Sequence, residues 1–394
     1  MKKSLILVLV IALVSVLAFT ACAPAPAASS SAAPASSAAA SSAAPASSEA
    51  AASSAPAAAD NSKLNVQVLA KGFQHQFWQV VKKGAEAAAK DLGVGTMDFN
   101  GPEGESAIDT QVQMLNAMLA KNPSAIALAA LDTESVKSQL TDAMGKKIPI
   151  IGFDSGVPDA PAGAIAATAS TNNEAAAAIA ADEMFKDATF LGKLKAATAD
   201  NPVVVAVLSQ DATSASVTGR TQGFVDEMKK NAETLFAGAV SVEGHDKYKA
   251  ASTSPAVVKI LVQVPPTPNA DDMKNGAQAV LGTKNLVGIF LSNEGAVTGL
   301  LNATNDGADL DRTKGKFKEI TVAGFDAGKT QKAAVKSGAF LGSVTQDPFQ
   351  IGYKAVALAV DAANGKTVAD VDTGAKWYNK DNMDQADIAQ LLYD

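Results

Sequence analysis

Pro149-Ile150-Ile151-Gly152-Phe153-Asp154-Ser155-Gly156 and Thr321-Val322-Ala323-Gly324-Phe325-Asp326-Ala327-Gly328 are two copies of one pattern. In each, an apolar run of strand character ends in Gly-Phe-Asp, a small residue and Gly. All-apolar strands belong to parallel sheets covered on both faces, and in open parallel sheets ligands sit outside the carboxyl ends of the strands. Two aspartates at two such ends, one in each half of the chain, describe a cleft between two lobes.

Outward from these ends, short apolar strands alternate with helix-length segments. Strand-like runs stand at Leu64–Leu69, Ala125–Ala130, Ile148–Phe153, Val203–Leu208, Leu286–Leu291 and Ile320–Phe325. Helical spacing of apolar residues marks Phe77–Leu92, Ile108–Leu119, Glu174–Phe185 and Ile351–Ala363. That βαβα order places helices on both faces of parallel sheets. Roughly 330 residues from Leu64 onward exceed what one core sustains, so two α/β lobes are expected.

The first 62 residues differ in kind. Met1-Lys2-Lys3 and the uncharged Ser4–Ala21 stretch have the layout of a secretory signal. Phe19-Thr20-Ala21-Cys22 resembles the bacterial lipobox, which would make Cys22 the lipidated mature N-terminus; Phe19 departs from the usual Leu. A plain signal peptide or a single membrane anchor is the alternative. Residues 23–59 are almost entirely Ala, Ser and Pro, with Glu49 the one charge. Such a segment lacks the apolar side chains that offset ordering entropy and reads as a disordered tether. A long spacer after a lipidated cysteine suggests a Gram-positive exterior.

Composition narrows the function. The formal charge is −7, and losing Lys2 and Lys3 with a leader leaves 31 basic against 40 acidic residues, or −9. A pI near 5.0 argues against nucleic acid, whose phosphates need a basic face. One Cys and two His (His75 and His245) rule out an internal disulfide and leave too few soft ligands for a structural zinc. No metal and no cofactor are expected. One apolar run near spanning length, at the N-terminus, excludes a multispan channel or transporter.

Enzyme signatures are weak. Gly328-Lys329-Thr330 after a strand looks like a Walker A loop, but Ala323 stands where that loop needs Gly. Asp326 would also put a carboxylate into a cradle for phosphate. No nucleophile elbow and no dinucleotide fingerprint occurs. Asp154 and Asp326 could form a glycosidase pair; acceptors for ligand hydroxyls are the favoured reading. Phe77-Trp78, a short loop after the first strand, suit the C–H faces of sugar rings, although either could be core. Lys71 is a solvated lysine or a ligand contact. Arg220 reads as a structural helix-start residue.

These residues together resemble the type I periplasmic sugar-binding proteins of ABC importers, of the ribose and galactose kind, from Leu64 to Asp394. The motifs that carry the resemblance are Phe77-Trp78 with Lys83-Gly84-Ala85, Gly152-Phe153-Asp154, Ser170-Thr171-Asn172, Arg220-Thr221-Gln222-Gly223-Phe224, Ser292-Asn293-Glu294, Gly324-Phe325-Asp326 and Gln346-Asp347-Pro348. Regulators of the lactose-repressor kind share the fold but carry a DNA-reading head and no signal peptide. The resemblance implies two Rossmann-like lobes with parallel sheets, joined by three crossovers near Ser170, Gln346 and Gly374. The expected segments are a signal peptide at 1–21, a lipidated linker at 22–62, one lobe from 63–170 plus 347–374, and the other from 171–346 plus 375–394.

It further implies stacking by Phe77 and Trp78 and hydrogen bonds from Asp154, Asn293, Asp326 and Gln346. His75 falls where the ribose binders place an asparagine. Ser155 and Thr218 fall where they carry arginines, so two strong donors are missing. Lys71 and the Phe-Asp-Ser run at 153–155 look more like the rhamnose and furanosyl autoinducer binders. The segment from His245 to Pro268 is longer than in the ribose binders, and nothing carries over there. The function implied is a non-enzymatic, lipid-anchored, extracytoplasmic monomer that captures a neutral monosaccharide for an ABC permease and its ATPase subunits. A sugar or autoinducer sensor is the alternative, and an exported glycoside hydrolase a more distant one. Neutrality follows from two cleft carboxylates opposed by Lys71 alone, a poor setting for a sugar acid or phosphate.

Overall fold

A computed structural model describes residues 60–394. The signal segment, Cys22 and the Ala/Ser/Pro stretch through 59 lie outside the described residues. Residues 60–62, inside the linker expected at 22–62, are described and carry regular structure. Asn61–Lys63 forms a 3-10 turn capped by Asp60, and Asn61 Nδ2 donates to Leu92 O at 2.8 Å while Asn364 Nδ2 donates to Asn61 Oδ1 at 2.9 Å.

Two sheets organise the rest. The first runs Val371–Asp372, Ala167–Ser170, Ile150–Phe153, Ala125–Leu128, Asn65–Leu69, Thr96–Asn100, all parallel. The second runs Ala375–Tyr378, Gly342–Gln346, Thr321–Phe325, Leu286–Leu291, Val203–Leu208, Val258–Gln263, Val240–Glu243, parallel except for Ala375–Tyr378. In both sheets the chain's first strand lies between later ones, so the order reverses beside it. That reversal opens a crevice at the carboxyl ends of the strands. The α/β class and the paired parallel sheets match the sequence reading.

The chain passes between sheets three times: after Ala167–Ser170, after Gly342–Gln346, and between Val371–Asp372 and Ala375–Tyr378. Two of the passages are tied to each other. Thr373 N donates to Ser170 O at 3.0 Å, Asn172 N to Asp372 Oδ1 at 3.1 Å, and Thr171 Oγ1 to Gly374 O at 3.2 Å.

Glycines set how closely helices cross. A Cβ on Gly84, in Gln76–Asp91, would lie 2.0 Å from Phe349 O, and one on Gly352, in Pro348–Ala363, 1.9 Å from Val81 O. The two backbones therefore touch, which anchors the helix carrying Phe77 and Trp78. Gly223, in Ala215–Glu233, does the same in the second lobe against Glu174 O. Among the described residues no helix is long and apolar enough to cross a membrane.

Candidate functional site

Both Gly-Phe-Asp copies end their strands in the same way. Asp154 and Asp326 have positive φ, 52° and 78°, a conformation that Asp and Asn tolerate better than most side chains. Each backbone N–H donates to the neighbouring strand, Asp154 N to Ala169 O at 3.0 Å and Asp326 N to Val344 O at 2.7 Å. Each carbonyl accepts from a serine, Ser170 Oγ at 2.6 Å and Ser343 Oγ at 3.0 Å. The sharp turn swings both carboxylates out of the sheets toward one point.

Around that point the loops after the strands bring Lys71, Glu105 and Asp154 from one lobe and Asn293, Glu294, Asp326 and Gln346 from the other, with His75, Phe77, Trp78 and Arg220 contributed by helix starts and flanks. Lys71 Nζ is 3.2 Å from Asp154 Oδ2 and donates across the cleft to Ser216 Oγ at 3.0 Å. Arg220 bridges the lobes, with NH2 3.9 Å from Asp154 Oδ1 and NH1 3.7 Å from Asp326 Oδ2, its guanidinium 4.0 Å from the centre of the Phe325 ring. Gln346 Nε2 donates to Asp326 Oδ1 at 2.7 Å, and Glu294 N to Asp326 Oδ2 at 3.0 Å. These groups leave about 20 Å³ between them, the room of a single water. Anything larger than a water needs these groups to move apart.

The aromatic pair is held from behind. Trp78 Nε1 donates to Glu105 Oε1 at 2.7 Å, and Gln210 Nε2, from the other lobe, donates to Glu105 Oε2 at 2.7 Å. Phe77 meets Trp78 edge-on at 5.0 Å, and Trp78 meets Phe153 edge-on at 6.3 Å. Burial pushes the Glu105 carboxyl up, yet Lys71 and the two donated hydrogen bonds bring it below its usual range. Desolvation pulls the Lys71 ammonium down, but Asp154, Glu105 and Asp211 together carry it above its ordinary value. Burial raises Glu294, and the like charge of Asp326 adds to the rise.

Of the residues singled out from sequence, Lys71, His75, Phe77, Trp78, Asp154, Asn293, Asp326 and Gln346 converge here. Ser155 and Thr218 do not line the cleft. Ser155 Oγ accepts from Ser216 N at 3.2 Å, a lobe-to-lobe contact, and Thr218 Oγ1 turns back onto Ser214 O at 2.9 Å. Arg220 is a correction: it sits in the second turn of Ala215–Glu233, not at the helix start, and faces both aspartates. Lys71 is therefore not the only cation opposing them. Sequence reasoning also passed over Glu105 and Glu294. Glu294 stood inside the Ser-Asn-Glu motif; Glu105 follows a half-exposed edge strand, Thr96–Asn100, whose residues give no apolar run.

The Walker-like segment holds no anion cradle. Gly328 caps the helix Lys329–Ser337, and the Lys329 N–H that would meet a phosphate instead donates to Gln76 Oε1 at 2.8 Å. A larger cavity of about 460 Å³ lies between Glu294–Ala303 and Lys329–Ser337. None of the buried unpartnered side-chain atoms of the described residues borders it, whereas those of His75, Asp154, Glu294 and Gln346 line the cleft.

Residues 66–367 match the family described as periplasmic binding protein domain. The chain belongs to the periplasmic binding protein family. Among relatives of this binding protein, the D-allose-binding periplasmic protein of Escherichia coli K12 is 24% identical over 321 residues, covering 80% of this chain and 90% of that one. A solved chain from Brachyspira murdochii, described as an ABC transporter, LacI family transcriptional regulator, is 41% identical with a TM-score of 0.70, over 85% of this chain and all of that one. An ABC transporter solute binding protein from Agrobacterium vitis with bound D-fucose is 25% identical with a TM-score of 0.67, over 84% of this chain and all of that one. One from Agrobacterium radiobacter in complex with D-arabinose is 26% identical with a TM-score of 0.64, over 84% and 98%. These relatives are described by binding and transport or regulation, not by catalysis.

Proposed function

We propose that this binding protein captures a monosaccharide outside the cytoplasm and presents it to an ABC permease and its ATPase, held to the membrane by lipid on Cys22. The observation that carries the reading is the convergence of Asp154 and Asp326, one strand end from each lobe, on a cleft walled by Phe77 and Trp78. Carboxylates accept from paired hydroxyls while an aromatic face covers the C–H side of a ring. The D-fucose and D-arabinose held by two relatives support the ligand class. On this reading residues 63–170 with 347–374 move against 171–346 with 375–394 about the three crossovers. A ligand that touches both lobes only when they are closed supplies the differential affinity that drives closure.

Hydrolysis fits less well. A glycosidase needs one carboxylic acid and one free carboxylate flanking the bond, whereas Arg220 lies between both aspartates. The ligand carries no negative charge, because Glu105, Asp154, Glu294 and Asp326 already crowd the cleft.

The test is a thermal-shift screen of the purified protein against monosaccharides, sugar acids, sugar phosphates and amino acids. Ligand at about a hundred times its Kd stabilises by about 2.7 kcal/mol, enough to raise Tm by more than about 4 °C in lobes of this size. A shift from a sugar phosphate or an amino acid, with none from any sugar lacking negative charge, would overturn the reading. Lipid attachment is checked separately: a fatty-acid probe should label the wild type and not Cys22→Ala.

A further inference from the structure

Four of the five buried side-chain atoms that lack partners at the cleft are of one kind. Glu294 Oε2, Gln346 Oε1, Gln210 Oε1 and Asp154 Oδ2 are all acceptors, and His75 Nε2 is the remaining atom. Asp154 Oδ2 has the Lys71 ammonium 3.2 Å away; the others have nothing comparable. The amide orientations are fixed by their other ends. Gln210 Nε2 donates to the Glu105 carboxylate and Gln346 Nε2 to Asp326, so a flip of either amide would set an oxygen against a carboxylate.

Charge points the same way. Four carboxylates line the cleft, Glu105, Asp154, Glu294 and Asp326, against the fixed cations Lys71 and Arg220. Glu105 accepts from two side-chain donors, and Arg220 lies within 4 Å of Asp154 and Asp326. Glu294 alone has neither: the His75 ring and the N–H groups of Gln76, at 3.4 Å from Oε1, and Phe77 favour its charged form, and its Oε2 accepts from nothing. His75 Nε2 and Gln210 Oε1 both lie beside Gly295, one residue further on, 3.5 and 1.9 Å from where a Cβ there would lie.

We propose that the sugar bound here is an amino sugar, with an ammonium in place of one hydroxyl, seated against Glu294. A hydroxyl brings one donor and two lone pairs into a site already rich in acceptors, whereas an ammonium brings three donors and no acceptor. It also sets a full positive charge against a part-buried carboxylate that faces the His75 ring but makes no salt bridge among the described residues. The expectation of a neutral sugar counted two carboxylates against Lys71; with Glu105, Glu294 and Arg220 included, the balance is still negative by two. The inference rests on the monosaccharide reading and narrows it.

Calorimetric titration of the purified protein with D-glucosamine, D-galactosamine, D-mannosamine and D-allosamine, each beside its parent hexose and N-acetyl form, tests it. At least one amine should bind at least about tenfold tighter than its parent hexose, as a charge-assisted bond replaces a neutral one. N-acetylation, which removes the charge, should abolish that advantage. Glu294→Gln, which keeps the shape, should bring the amine-to-hexose ratio close to one. A parent hexose that binds as tightly as its amine in the wild type overturns the proposal. Should a sugar without an amine, such as D-arabinose or D-fucose, bind while no amine does, this proposal falls alone; should only a compound that is not a sugar bind, the monosaccharide reading falls first and takes this one with it.

Discussion

The two Gly-Phe-Asp strand ends share a backbone and differ in what surrounds the carboxylate. At Asp154 the neighbours are cations, Lys71 at 3.2 Å and Arg220 at 3.9 Å. At Asp326 the donors are an amide and a backbone N–H, Gln346 Nε2 at 2.7 Å and Glu294 N at 3.0 Å, with Arg220 further out at 3.7 Å. Repetition of a sequence pattern thus reproduces where a carboxylate points. It does not reproduce how its charge is balanced, because the balancing groups come from other strands and helices. One end is held chiefly by a lysine at 3.2 Å; the other is held by two hydrogen-bond donors, and Arg220 reaches both.

The largest expected effect separates the two ends. Asp154→Ala strands the Lys71 ammonium, only 3% exposed, without its nearest counter-charge; breaking a buried pair costs about 3–5 kcal/mol. Asp326→Ala leaves an amide and a backbone N–H unpaired, at about 1–3 kcal/mol. Chemical denaturation of both variants should rank Asp154→Ala as the more damaging, and the reverse order would break the comparison. A smaller effect concerns the residue the two ends share. Double-mutant cycles of Arg220→Met with Asp154→Asn and with Asp326→Asn should each give a coupling of about 0.5–3 kcal/mol. Coupling to one aspartate only would make Arg220 a member of that end alone.

The smallest effect is a pH dependence beside the second end. Burial, with the like charge of Asp326, raises the Glu294 carboxyl, so the folded protein holds that proton more tightly than the unfolded chain. Ionising it therefore costs stability as the pH climbs through the ordinary carboxylate range to the raised value. Glutamine carries no such cost. The Tm advantage of Glu294→Gln over the wild type should be near zero at about pH 4, where both states hold the proton, and grow as the pH rises through the carboxylate range. An advantage that stays flat or shrinks with pH would show that Glu294 is not strained by its surroundings.

Legibility followed the same divide. Val203–Leu208 and Leu286–Leu291 are continuous apolar runs, and their ends agree to the residue with the sequence reading. Gly342–Gln346, with Ser, Thr and Gln, gives no such signal, yet all five residues are buried. They are covered because Thr321–Phe325 and Ala375–Tyr378 flank them, and Ser343, Thr345 and Gln346 each donate to a partner distant in the chain, such as Ser343 Oγ to Asp326 O. At the site, Phe77, Trp78, Asp154 and Asp326 were readable because each lies at a fixed offset from a strand or helix signal. Arg220 and Glu105 were not: a charged residue inside a helix or a loop looks solvated until a second lobe closes over it.

What the sequence determined by itself is local. Apolar runs ending in Gly-Phe-Asp make strands with an aspartate at the mouth, glycines at helix crossings admit close packing, and alternation of strand and helix imposes two parallel sheets. Those outcomes depend on side-chain period and backbone sterics within one segment. The electrostatic character of the cleft is not local. Arg220 lies between aspartates 66 and 106 residues away in the chain, and Glu105 accepts from a glutamine in the opposite lobe. Coulomb and hydrogen-bond terms depend on distance in space and on exclusion of water, and both are set only when the lobes come together.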